Sequence, residues 1–153
     1  MGVFRSKKMK EEFIKIWLKT RIIRNRQKDL EKINSMITSA EINARVTKEI
    51  KLNEDTATLI FREIYESVRQ LGDARWWLDG YEPSSHEISL EALKDLDIKA
   101  KIKLNSLDRF KKIRHDINYR GFRALVSQAE EILDFWKICC EEIVKILRKE
   151  AKA

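Results

Sequence analysis

Chain breakers are scarce in this sequence: a single proline, Pro83, and four glycines in 153 residues. With so few residues that interrupt a helix, and with Lys, Glu, Ile and Leu abundant, long helices are favoured over sheet. No segment alternates apolar and polar residues for long enough to demand a β-sheet. Cysteine is equally sparse, and its two copies are the neighbours Cys139 and Cys140. Adjacent helical residues diverge by about 100°, so a bridge between them would distort the backbone. One is expected as a small core residue and the other as a boundary residue, in a reducing compartment. No apolar run approaches the ~18 residues of a membrane span. Phe4 is followed at once by Arg5, Lys7, Lys8 and Lys10, which is not the pattern of a signal peptide, and a cytoplasmic protein is the simplest expectation. Also missing are a Gly-rich phosphate loop, a metal-ligand cluster and a recognisable nucleophile–base pair. No cofactor and no metal are therefore expected.

What the sequence does have is charge, and it is unevenly spread. Charged residues make up 37 % of the chain and the formal net charge is +7. Residues 1–32 carry 11 basic and 4 acidic side chains, residues 33–97 carry 7 and 13, residues 98–123 carry 9 and 2, and residues 124–153 carry 5 and 6. Two basic blocks thus flank an acidic middle. That asymmetry suits a polyanionic partner, nucleic acid first, although a solvated Lys/Glu-rich surface accounts for the composition equally well.

Apolar periodicity predicts an all-α, up-and-down helical bundle of four to five main helices. The first helix, 5–24, places Met9, Phe13, Ile16, Trp17 and Ile23 on one face and basic residues opposite. Residues 1–27 are read as a basic amphipathic element, part of the domain or appended to it, and 28–153 as the bundle proper. The opening Met1–Ser6 also fits the myristoylation pattern M-G-x-x-x-S, which is too short to carry an assignment. A second helix over 27–51 uses Leu30, Ile33, Ile37, Ala40 and Ala44, and a third follows an Asn53 cap over 54–78. Gly72 interrupts the third helix and suggests a bend. Trp76 and Trp77 cannot point the same way, so one is expected in the core and the other at a boundary or interface. Ser84 with Glu87 predicts a capping box for a short helix over 87–97, with His86 as a surface residue of no assigned role. Asn105 and Asp108 start the next helix, and Gly121 stops it. The last helix, 123–149, carries the stripe Leu125, Ala129, Ile132, Leu133, Trp136, Cys140, Ile143 and Leu147.

The candidate functional stretch is 104–121, which holds one of only two histidines, His115, and ends on Gly121. On a helix its apolar face is Leu107, Phe110, Ile113 and Ile117. His115 lies about 140° from Phe110 at 100° per residue, well off that stripe. Lys111, His115, Asn118 and Tyr119 share one side, while Arg109, Lys112 and Asp116 form a neighbouring strip. An imidazole base, guanidinium groups suited to bidentate phosphate contact and a phenol able to stack on an unpaired base are thereby brought close.

A helical bundle with Arg109-x5-His115 in its penultimate major helix resembles the HEPN superfamily, whose hallmark is an arginine four to six residues before a histidine. The run Arg114-His115-Asp116-Ile117-Asn118-Tyr119 also resembles the R-x4-Y segment of small archaeal and bacterial members. The resemblance covers roughly residues 28–149 and implies a homodimer in which both copies of the motif line one cleft. It further implies RNA or nucleotide as ligand and, in many members, metal-independent endoribonuclease activity of toxin–antitoxin type with a nucleotidyltransferase-type antitoxin partner. On that reading Arg109 and His115 are catalytic, and Lys111, Arg114, Asn118, Tyr119 and Arg120 bind substrate. Two features depart from the pattern. Phe110 follows the arginine where active members usually carry a polar residue. Arg109 and His115 also diverge by about 120° on an ideal helix, so a shared site needs a kink or a second protomer. Catalysis, binding without cleavage and a role confined to protein partnership all remain open from the sequence.

Overall fold

Steps of three and four residues between apolar side chains produce helices that can bury only one face, so each must find a partner. The computed structural model describes residues 7–152, with side chains from Lys10 onward. The Met1–Ser6 pattern and the Met9 side chain lie outside the described parts. In chain order come α1 (Lys7–Lys19), β1 (Ile23–Asn25), α2 (Leu30–Lys48), α3 (Ala57–Leu78), β2 (Tyr81–Pro83), a 3-10 segment (His86–Leu93), a second 3-10 segment (Lys101–Ser106), α4 (Leu107–Arg120), α5 (Val126–Phe135), a π turn (Trp136–Cys140) and α6 (Glu141–Lys152). The chain is thus mostly helical, as its periodicity predicts. No helix among the described residues is long and apolar enough to cross a membrane.

The central element is α3, which packs against α2, α4, α5, α6 and the 86–93 segment. Its buried stripe of Ile60, Ile64, Val68 and Leu71 meets Ile33, Ile37, Ala40 and Ala44 of α2 and Ala129, Ile132, Ile143 and Leu147 of the last helices. Leu30 stays exposed because it is the first residue of α2, and Leu125 because it precedes α5. The face of α4 is the expected one: Leu107, Phe110, Ile113 and Ile117 are buried. Phe110 meets Phe61 of α3 and Phe135 of α5 edge-on, at 6.0 and 5.3 Å between ring centroids, a favoured aromatic arrangement. Gly121 closes α4 in the left-handed conformation, φ 65°, which glycine adopts without strain.

Several elements differ from the sequence reading, each for a local reason. The first helix ends at Lys19, and β-branched Ile22 and Ile23 lead into a two-stranded antiparallel ribbon, with Ile23 opposite Pro83 and Arg24 opposite Glu82. Ile16 is exposed, and α1 instead packs half-buried Ile14, Trp17 and Leu18 against the domain. Asn53 does not cap α3. Its Oδ1 accepts from the amides of Asp55 and Thr56, shaping the turn ahead of the helix. The Ser84–Glu87 capping box does not form, because Ser84 Oγ donates to the Arg21 and Ile22 carbonyls at 2.6 and 2.8 Å and ties the loop to the ribbon. Asn105 lies within a 3-10 segment that runs directly into α4, leaving no helix start for it to cap.

Trp76 and Trp77 are both buried. Trp77 belongs to the main core, whereas Trp76 anchors a second cluster with Ile23, Ile88 and Ala92, covered by α1 and the ribbon. Trp17 and Tyr81 meet it edge-on at 6.0 and 6.1 Å, and its Nε1–H donates to the Ile88 carbonyl at 3.0 Å. Both cysteines are also fully buried. Four-residue steps between apolar residues drift about 40° per step on an α-helix. The π turn takes one more residue into the turn and pulls the stripe back onto the core, so Cys139 and Cys140 both face inward.

Gly72 marks a close approach rather than a bend: a methyl group there would sit 2.1 Å from the Ser89 carbonyl oxygen. Gly72→Ala adds about 1 kcal/mol of helix propensity, but the overlap with backbone costs more. We expect a net destabilisation of about 1–3 kcal/mol, read as a lower urea midpoint at unchanged slope.

Candidate functional site

Helix α4 and the 86–93 segment both pack on α3 and stand on either side of Tyr65. Lys94, only 8 % exposed, clips them together by donating to Glu91 and Asp108, both at 2.7 Å. Between them opens a cavity of about 340 Å³ lined by Tyr65, His86, Glu87, Asp108, Lys111, Lys112, Arg114, His115, Asp116 and Arg120.

The structure brings together four of the seven residues expected at the site: His115, Lys111, Arg114 and Arg120. Tyr119 stands just outside with its ring 4.8 Å from that of His115, and it is 71 % exposed. Asn118 is exposed and does not line the cavity. Arg109 does not line it either. Its guanidinium pairs with Glu131 of α5, with Nη1 at 2.7 Å from Oε2, and reaches Ser106 at 3.4 Å. Within one chain Arg109 and His115 therefore occupy different faces of α4, as their six-residue spacing dictates.

Most charges in the cavity are already committed. Lys111 donates to the Glu87 carbonyl at 2.7 Å and pairs with its carboxylate at 3.1 Å. Asp116 lies 3.9 Å from Lys112 and 3.7 Å from Arg120. Arg114 is the one lining cation without an ion pair among the described residues, and it lies 5.8 Å from the centre of the Tyr65 ring. His115 has no hydrogen bond to any described residue, so both ring nitrogens are available. Four cations and three carboxylates line the cavity, a modest positive excess.

Behind the cavity lies a network that sequence reasoning did not assemble. Arg69 is 8 % exposed, and it donates to Glu66 at 2.9 Å, to Asp73 at 2.6 Å and to His86 Nδ1 at 2.7 Å. Ser89 Oγ donates to the other oxygen of Asp73 at 2.6 Å. Burial pushes the Glu66 carboxyl up, but the hydrogen bond and charge of Arg69 outweigh it and hold the group below the usual range. At Asp73 burial prevails over Ser89 and Arg69, and the carboxyl is raised. The signal available in the sequence was the spacing Glu66-x2-Arg69-x3-Asp73, which puts two carboxylates on one arginine. Nothing local pointed from there to His86.

Among the described residues no three His, Cys, Asp or Glu side chains converge to hold a metal ion. No protein-family model, no curated protein and no solved structure matches this chain, so the chemistry of the site rests on its own geometry.

Tyr65 is the most strongly perturbed group at the cavity: burial pushes its phenol from 10.0 up to about 12, against the opposing charge of Arg114. The unfolded chain gives up this proton first, so stability falls as pH rises from 10 to 12 and is intact below that window. Ultraviolet titration of the protein beside Tyr65→Phe should show the missing phenolate step near pH 12.

Proposed function

We propose that the cavity beside α4 binds a phosphodiester of RNA, and that the protein is an HEPN-like bundle acting as a metal-independent endoribonuclease. The observation that carries this reading is the placement of His115. An imidazole without a hydrogen bond to any described residue shares one cavity with Arg114, which has no ion pair among the described residues, and with three further cations. Arg114 and Lys112 would hold the phosphate oxygens, and Tyr119, exposed beside His115, would stack on an unpaired base. His115 would take the proton of the ribose 2′-hydroxyl. The 2′-oxygen then attacks the adjacent phosphorus, the bond to the 5′-oxygen breaks, and that oxygen is protonated by water, leaving a 2′,3′-cyclic phosphate.

The HEPN resemblance gives charge stabilisation to Arg109, yet that guanidinium is engaged by Glu131 outside the cavity. In a single chain the task falls to Arg114. In a homodimer a second copy could bring its own Arg109 to the cleft, and the antitoxin-type partner belongs to the same reading. A second reading, binding of nucleotide or RNA without cleavage, is favoured by the position of Arg109 outside the cavity, paired with Glu131.

The test is cleavage of a labelled structured RNA by the purified protein in EDTA, beside His115→Ala and Arg114→Ala. We expect His115→Ala to lower the rate by about 100-fold or more with RNA still bound. Arg114→Ala should weaken binding and reduce its salt dependence by roughly one phosphate contact. Binding without cleavage by the unmodified protein would establish the second reading, and neither binding nor cleavage would overturn both.

A further inference from the structure

The second histidine of the cavity is held in a way that the first is not. Arg69 Nη1 lies 2.7 Å from His86 Nδ1. A guanidinium has donors and no acceptor, so Nδ1 must accept this bond and the ring proton sits on Nε2. Arg69 has little freedom to turn away, because it is 8 % exposed and its other donors are held by Glu66 and Asp73 at 2.9 and 2.6 Å. Asp73 is itself fixed by Ser89, three residues along from His86. The backbone carrying the histidine is pinned as well, by its contact with Gly72 and by the bond from Trp76 Nε1 to the Ile88 carbonyl. The Nε2–H is the ring's remaining polar group, on a residue that lines the cavity. His115 differs in both respects, since its nitrogens bond to no described residue and its ring lies against exposed Tyr119.

Resting on the phosphate-cavity reading above, we propose that His86 is a preset hydrogen-bond donor whose Nε2–H binds a non-bridging oxygen of the phosphodiester. Arg69 is the positioning residue that sets its tautomer. The two histidines then divide the work: His115 is free to exchange a proton, whereas His86 presents a fixed donor from the opposite wall. Preset donors of this kind act without reorganising when charge develops on the ligand. The substrate class that such a wall recognises is a phosphate monoester or diester oxygen.

The experiment is nitrogen-15 spectroscopy of the histidine rings in the full chain, with and without adenosine 3′-monophosphate, beside affinity titrations of His86→Ala and His86→Gln. With two histidines in the sequence, the two ring signals are assignable by substitution. We expect the Nε2–H pattern for His86 before ligand is added, and a shift of both rings on binding. His86→Ala should lose about tenfold or more in affinity, while His86→Gln, which keeps an N–H near the Nε2 position, retains most of it. An Nδ1–H pattern, or unchanged affinity in His86→Ala while His115 still responds, would overturn this assignment and leave the phosphate cavity standing. No response from either ring in the unmodified protein would remove the cavity reading, and this proposal with it. Far-UV circular dichroism identical to that of the parent is required of each variant. Should His86→Ala lose its fold, the tautomer pattern and His86→Gln decide the matter alone.

Discussion

Between Gly72 and the Ser89 carbonyl there is no room for a methyl group, and the rest of the site depends on that closeness. Arg69, Gly72 and Trp76 follow one another at steps of three and four along α3, so they share a face. Each meets the 86–89 segment by a different interaction: a charged side-chain hydrogen-bond network, bare backbone contact, and an indole hydrogen bond to a carbonyl within an apolar cluster. A 3-10 segment is intrinsically poor at holding its own shape. Here its geometry is imposed by the helix beneath it, which is why a histidine at its exposed first position can still be well placed.

The ion pairs of the molecule fall into two groups with different physical weight. In the Arg69 network and the Lys94 clip the cations are shielded and so are Asp73 and Glu91, whereas Glu66 and Asp108 reach solvent at 40 and 66 % side-chain exposure. Removing Asp73 or Glu91 would therefore leave a shielded cation short of its partner and cost more than the loss of an exposed pair. The Lys112, Asp116 and Arg120 pairs on the cavity rim are exposed and distant, worth at most about 1 kcal/mol each. Rim cations held so loosely can be drawn from their carboxylate by an incoming anion at little cost. The buried pairs fix the walls, and the exposed ones leave the mouth adaptable.

How much of this was legible in the sequence depends on the range of the interaction. The helical class, the buried face of α4 and the left-handed stop at Gly121 follow from spacing within a few residues, and all appear in the structure. His115 could be seen as an off-core histidine for the same reason. His86 could not, because its significance comes from Arg69, 17 residues away, and from the approach at Gly72, whose missing side chain reads in sequence only as a breaker. Arg109 shows the converse. Its proximity to His115 in sequence suggested a shared site, but a helix separates residues six apart, and Glu131 on a distant element claims the guanidinium. Trp76 was similarly hidden, since the ribbon that covers it joins Ile23 to Pro83 across 60 positions of chain.

The π turn at Trp136–Cys140 seals both thiols of the chain into the core, and burial raises both, Cys140 far above its usual range. Neither sulfur is then a chemical target while the last helix is in place. Any alkylating reagent that marks them must wait for that helix to part from α3. The rate of labelling is consequently a clock for the opening of the domain's centre, and it needs no introduced probe.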